Sequence, residues 1–248
     1  MAEKEGSGFY ADPMGQFEIY NFFGAGAVEW SSFTNSSLMM LIVVGVSTLL
    51  LTLGASGRAL VPSKLQSMTE LTYEFIRRMV SDTAGDEGLK YFPYIFTVFI
   101  FILFSNLLGL IPYSFTVTSH LAVTATLALA VFFTVTITGF MKHGVHFLSF
   151  FVPHGAPKPL LVLLVPIEVI SYFVRPISHS VRLGAAMLAG HAVMKVFAYF
   201  VAPLGVGGVL PLGMMVGIYG LELLVAVVQA YIFTILTCIY LNDALHMH

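Results

Sequence analysis

Charge is what this chain of 248 residues has least of. Asp, Glu, Lys and Arg together make up 10% of it, where a soluble domain carries about 25%. So few charges cannot cover a water-facing surface, which excludes a soluble globular enzyme. Cysteine occurs once, as Cys238, so there is no internal disulfide and no cysteine-built zinc centre. A basic excess is also missing. Eleven Lys and Arg stand against 13 Asp and Glu, a net charge of −2, and that leaves no footprint for nucleic acid. The opening residues Met1 to Gly6 have neither the basic stretch nor the short apolar core of a secretory signal, so no cleavable leader is expected. No His-Glu-x-x-His, Gly-x-Ser-x-Gly or glycine-rich phosphate loop with a following lysine occurs, and no cofactor is implied.

What is present is apolar. Hydrophobic residues make up 58%, with 22 Phe and 11 Tyr, and the mean hydropathy is +0.90. A bilayer core about 30 Å thick needs about 20 apolar residues per helix, and the runs are long enough. The reading is an all-α integral membrane protein with about five membrane-crossing helices, ending in a long, tilted antiparallel helical hairpin. Residues 1–36 form a leader, and 37–248 form one membrane domain with spans near 37–53, 91–111, 121–141, 160–202 and 212–245. Around 62–82, Leu65, Met68, Leu71, Phe75, Ile76 and Met79 recur at helical spacing among charged residues, the pattern of a helix lying in the membrane interface, with a cytosolic connector helix as the alternative. The fourth span holds 43 residues, Leu160 to Ala202, roughly 65 Å of helix at 1.5 Å per residue. It must be kinked, with Pro176 as a candidate position, strongly tilted, or split in two.

Orientation follows from Lys and Arg. The 54–90 connection holds Arg58, Lys64, Arg77, Arg78 and Lys90, and the 142–159 connection holds Lys142 and Lys158. On the opposite side only Lys4 appears. The positive-inside rule then puts the leader outside and the C-terminus inside.

Charges inside a bilayer are expensive and are functional candidates by default. Glu168, Ser171, Arg175, Ser178, Arg182, Ala185 and Ala189 follow at steps of three and four, one stripe on one helix face. Its lower part, small after Arg182, suits close approach by another helix. Folding the chain at the glycine turn near Gly205 and Val206 puts Arg182 level with Gln229 and Glu168 level with Asp243. His191 comes within about two residues of level with Glu222. This makes three polar levels, with a guanidinium that stays protonated as the barrier in the middle. His191 lies nine positions after Arg182, on the opposite face of an ideal helix. Either the helix is distorted near Gly184 or Gly190, or the route past His191 runs on another side.

The run Ser180-Val181-Arg182-Leu183-Gly184-Ala185-Ala186-Met187-Leu188-Ala189-Gly190-His191 resembles the signature of subunit a of F-type ATP synthases. So do Asn106-Leu107-Leu108-Gly109-Leu110-Ile111-Pro112, Gln229-Ala230-Tyr231-Ile232-Phe233 and Tyr240-Leu241-Asn242-Asp243. The resemblance implies a non-catalytic, proton-translocating stator subunit pressed against a ring of carboxyl-bearing c subunits. Its other partners would be b-type subunits of a peripheral stalk, the nucleotide-binding sector and membrane lipids, in a bacterial inner membrane. It implies that Arg182 is the essential arginine, with Ser178, Ala185 and Ala189 on the ring-facing side and Gln229 as its hairpin neighbour. His191, Glu222 and Asn106 would belong to an outer half-channel, and Glu168 and Asp243 to an inner one. Many members carry Asn four residues after the arginine; here that position is Ala186.

An ion-coupled secondary transporter is the alternative. It would need a midplane substrate cavity, usually between related repeats, and the chain shows no repeat and a single polar hairpin. His143, His146 and His154 are too few for a di-iron site built from several histidine boxes. Arg175 reads equally as a structural or a lipid-headgroup contact.

Overall fold

In a computed structural model, which describes residues 17–21, 33–56, 62–111, 114–152 and 158–246, six α-helices dominate the described residues. They are α1 (Asn35–Ser56), α2 (Lys64–Gly88), α3 (Phe92–Gly109), α4 (Leu121–His143), α5 (Lys158–Val201) and α6 (Val209–Leu245). Five helical segments among the described residues are long and apolar enough to cross a membrane. Most of the leader, the 57–61 connection and His154 lie outside the described residues.

Local chemistry accounts for the boundaries. Ser63 caps α2, its hydroxyl accepting from the Gln66 amide at 3.2 Å. The helix runs on past 82 to Gly88 and bends at Gly85, where φ is 66°. Ile76 and Val80 are buried, while Met68, Leu71 and Phe75 of the same helix stay exposed. In α4 the threonines bond back to their own helix: Thr126 donates to the Ala122 carbonyl, Thr134 to Ala130 and Thr136 to Phe132. A hydroxyl satisfied in this way costs little in hydrocarbon.

The long fourth span is one piece. α5 continues for 44 residues through both Pro166 and Pro176, so of the three alternatives the split is excluded. At about 66 Å it is about twice the hydrocarbon thickness and has to lie oblique. A short 3₁₀ turn, Gly205–Gly208, returns the chain into α6, with Gly205 at a φ of 55° that a side chain would strain. α5 and α6 pack on each other, and α6 also rests against α2, α3 and α4. α6 is therefore the central element, and its Phe233 and Leu241 share a core with Ile76, Ile102, Val131 and Leu183.

Candidate functional site

Two polar regions lie on different sides of α5. The first is internal. His191 and Glu222 are almost fully buried, and His191 Nδ1 stands 3.4 Å from Glu222 Oε1 across the hairpin. The other ring nitrogen, Nε2, is 2.8 Å from the Thr116 hydroxyl. Asn106 of α3 has no exposed surface. Its amide donates to the Ala226 carbonyl of α6 at 3.0 Å, and its oxygen accepts from Thr118 at 2.7 Å. Asn106 thus caps a backbone carbonyl and belongs to the polar cluster at once. Both Glu222 carboxyl oxygens are buried without a hydrogen bond among the described residues, an uncommon state for a buried polar group that calls for an explanation.

Gly190 makes this approach possible. A Cβ added there would meet Glu222 Oε1 at 2.6 Å and its carboxyl carbon at 2.9 Å. Gly190→Ala is therefore expected to push the carboxylate away from His191 and to destabilise by about 1–3 kcal/mol through overpacking. The check is a lower melting temperature of the purified complex together with slower proton-coupled turnover; parental values for both would sink the assignment.

The second region is external. Arg182 is exposed, and so are Ser178, Ala185 and Ala189 along the same side of α5. Among the described residues Arg182 makes no ion pair and no hydrogen bond. It shares a narrow cleft with Gln229, Leu183 and Phe233, which puts arginine and glutamine side by side as the hairpin spacing predicts. Since α5 is continuous between Arg182 and His191, the question of the two faces is answered without distortion: one residue points outward and the other inward.

The innermost level differs from expectation. Asp243 has a partner that the hairpin spacing did not supply: its Oδ2 accepts from Arg175 Nη1 at 3.1 Å. The long arginine side chain reaches several positions along the hairpin to meet the acid. The Arg175 guanidinium also lies over the rings of Tyr240, Tyr172 and Phe150, at 5.1, 5.6 and 5.7 Å from their centroids. Ringed by aromatics and paired, Arg175 is an anchor between α5, α6 and the turn after α4. Glu168 is half-buried and makes no ion pair among the described residues. His143 Nε2 lies 3.2 Å from the Leu245 carbonyl at the end of α6, and no group of three or more metal-ligating side chains occurs among the described residues.

Sequence reasoning missed Thr116 and Thr118, which sit in a loop without periodicity. A run of hydroxyls between two apolar helices, Thr116-Val117-Thr118-Ser119, was the available signal. It also passed over His179, a single histidine inside a helix.

A profile of the family described as ATP synthase A chain matches residues 37–242. The chain belongs to that family. Among its relatives, ATP synthase subunit a of Bradyrhizobium diazoefficiens is 56% identical over 245 residues, covering 95% of this chain and 98% of the relative. The subunit a of Dinoroseobacter shibae is 56% identical over 248 residues, the full length of both. That of Pelagibacter ubique is 54% identical over 241 residues, or 96% of this chain and 98% of the relative. As a family member with five apolar helices, the chain is a multi-pass membrane component of an ATP synthase, serving ATP synthesis and proton transport.

Proposed function

We propose that the chain is the proton-channel stator of the membrane sector of an F-type ATP synthase, with two offset half-channels separated by Arg182. One observation carries this reading. Arg182 is exposed and unpaired among the described residues, whereas the other hairpin arginine, Arg175, is paired and enclosed by rings. An unpaired guanidinium at bilayer depth costs at least about 2.5–3.5 kcal/mol. It needs an anion from outside the chain, and the small side chains Ser178, Ala185 and Ala189 beside it let another helix approach closely. A ring of c subunits, each with one carboxyl group, meets both requirements.

Protons then come from the outer side past Asn106, His191 and Glu222 and neutralise a ring carboxylate. Neutral, it moves through lipid; charged, it is held at Arg182 beside Gln229. After nearly a full turn the proton leaves by the inner route, toward Glu168 and Asp243. The driving force is about 2.3 kcal/mol per charge per 100 mV of membrane potential, and Arg182 prevents its loss by direct leakage. By the Lys and Arg distribution the N-terminus lies outside and the C-terminus in the cytoplasm of a bacterium whose inner membrane holds the complex. A b-type peripheral stalk holds the subunit still against the ring, and the nucleotide-binding sector does the chemistry.

A tagged chain purified in mild detergent is expected to bring down a c-ring, b-type subunits and nucleotide-binding subunits in fixed ratio. Isolation as a lone solute-binding protein would favour the ion-coupled transporter.

A further inference from the structure

His179 is almost completely buried, 3% exposed, and neither ring nitrogen has a hydrogen-bond partner among the described residues. Its ring lies against Phe233, with centroids 3.7 Å apart, and near Tyr240 at 5.9 Å. An imidazole buried with both nitrogens unsatisfied loses the hydrogen bonds it would make in water, a cost of about 1–3 kcal/mol per group. Phenylalanine or leucine would fill the same volume without that cost.

Its position gives the loss a use. His179 lies one helical turn after Arg175 and one turn before Arg182, and it lines two clefts. One is bounded by Tyr172, Arg175, Pro176 and Tyr240, and its volume of about 20 Å³ is the size of one water. The other contains Arg182 and Gln229 and is narrow. His179 therefore stands between the cleft at the Arg182 level and the cleft at the Arg175 level, and it lines both. The charged and titratable groups around His179 are Arg182, Arg175 and Tyr172 on its own helix and Tyr240 on α6. α4 contributes only apolar side chains to this surface, Val131 and Phe132 among them.

We propose that His179 is a proton-carrying residue of the inner route, passing protons between the Arg182–Gln229 cleft and the cleft at Arg175 and Tyr240. The inference rests on the stator reading above. In each passage one N–H bond forms at one ring nitrogen and one N–H bond breaks at the other. A 180° flip of the ring restores the starting tautomer, with no net change of charge and no other reactant.

The test uses the intact complex in inverted membrane vesicles with an uncoupler present, so that no gradient builds and ATP turnover reports proton exchange at the ring. His179→Ala is expected to lower turnover at least about tenfold, within the range that proton-transfer groups contribute. Millimolar imidazole should restore it by occupying the vacated space. Pyrazole, of similar size but a far weaker base, should not. His179→Gln and His179→Phe fill the space and should be slow without rescue. Parental turnover in His179→Ala, a loss that imidazole leaves unchanged, or equal rescue by pyrazole would each overturn the proposal. If His179→Ala fails to assemble, His179→Gln decides: slow turnover with a raised solvent isotope effect supports it, and parental turnover overturns it. Arg182→Ala measured alongside separates the two levels, since parental turnover there would remove the stator reading itself.

Discussion

Membranes carrying Arg182→Ala in an assembled complex are expected to make no ATP above background when a proton gradient is applied. The argument is electrostatic. Arg182 stands exposed on α5 with no ion pair or hydrogen bond among the described residues, and under the proposed function a carboxylate of another subunit compensates it. Without the guanidinium, a deprotonated carboxylate has no counter-charge at the stator, and the two half-channels lose the fixed positive charge that keeps protons from crossing directly. The same vesicles should therefore leak protons passively. Arg182→Lys is expected to fail as well, because lysine lacks the planar fork and can lose its proton when desolvated. Robust synthesis by either assembled variant would refute the role. Gln229, which shares the cleft with Arg182, provides a graded comparison: Gln229→Leu should weaken synthesis without abolishing it.

A second large effect is expected at the internal pair. His191 Nδ1 and Glu222 Oε1 are 3.4 Å apart and almost fully buried, close enough to act as one relay. Glu222→Gln removes the acid and should slow proton uptake by roughly 10²-fold, the lower end of what a positioned proton-transfer group supplies. The exchange His191→Glu with Glu222→His restores one imidazole and one carboxylate at the same level. It should retain more turnover than the worse single variant, although the new glutamate must find space near Thr116 and Phe17, whose ring centroid lies 6.4 Å from that of His191. A double-mutant cycle measures the coupling, expected at about 0.5–3 kcal/mol for residues in contact. Strictly additive effects would show two unrelated residues.

How far these features could be read beforehand differs by kind. The five apolar runs, the hairpin turn at Gly205 and the level of Arg182 with Gln229 all depend on periodicity and chain length, which a sequence displays directly. The proximity of His191 and Glu222 was legible for the same reason. The pairing of Asp243 was not, because a flexible arginine reaches past the residue opposite it, and the rings that hold Arg175 come partly from Phe150 in a distant turn. Thr116 and Thr118 were hidden because loops carry no period. His179 was hidden because an isolated histidine among apolar neighbours has no pattern; only its two unsatisfied nitrogens and the clefts on either side mark it. The helix around 62–82 shows a limit of another sort: half of its apolar stripe, Met68, Leu71 and Phe75, stays exposed.

The continuity of α5 has an electrical consequence. Arg182 faces outward from the subunit and His191 faces inward along one unbroken helix, so under the proposed roles that helix is a septum between the outer half-channel and the ring face, which are held at different potentials. The septum is about 10 Å thick, against about 30 Å for the hydrocarbon layer. The same voltage falling over a third of the distance gives a field about three times as steep, directed largely along the membrane plane. A ring carboxylate then crosses most of the potential difference by a short sideways step, without travelling through the bilayer's thickness.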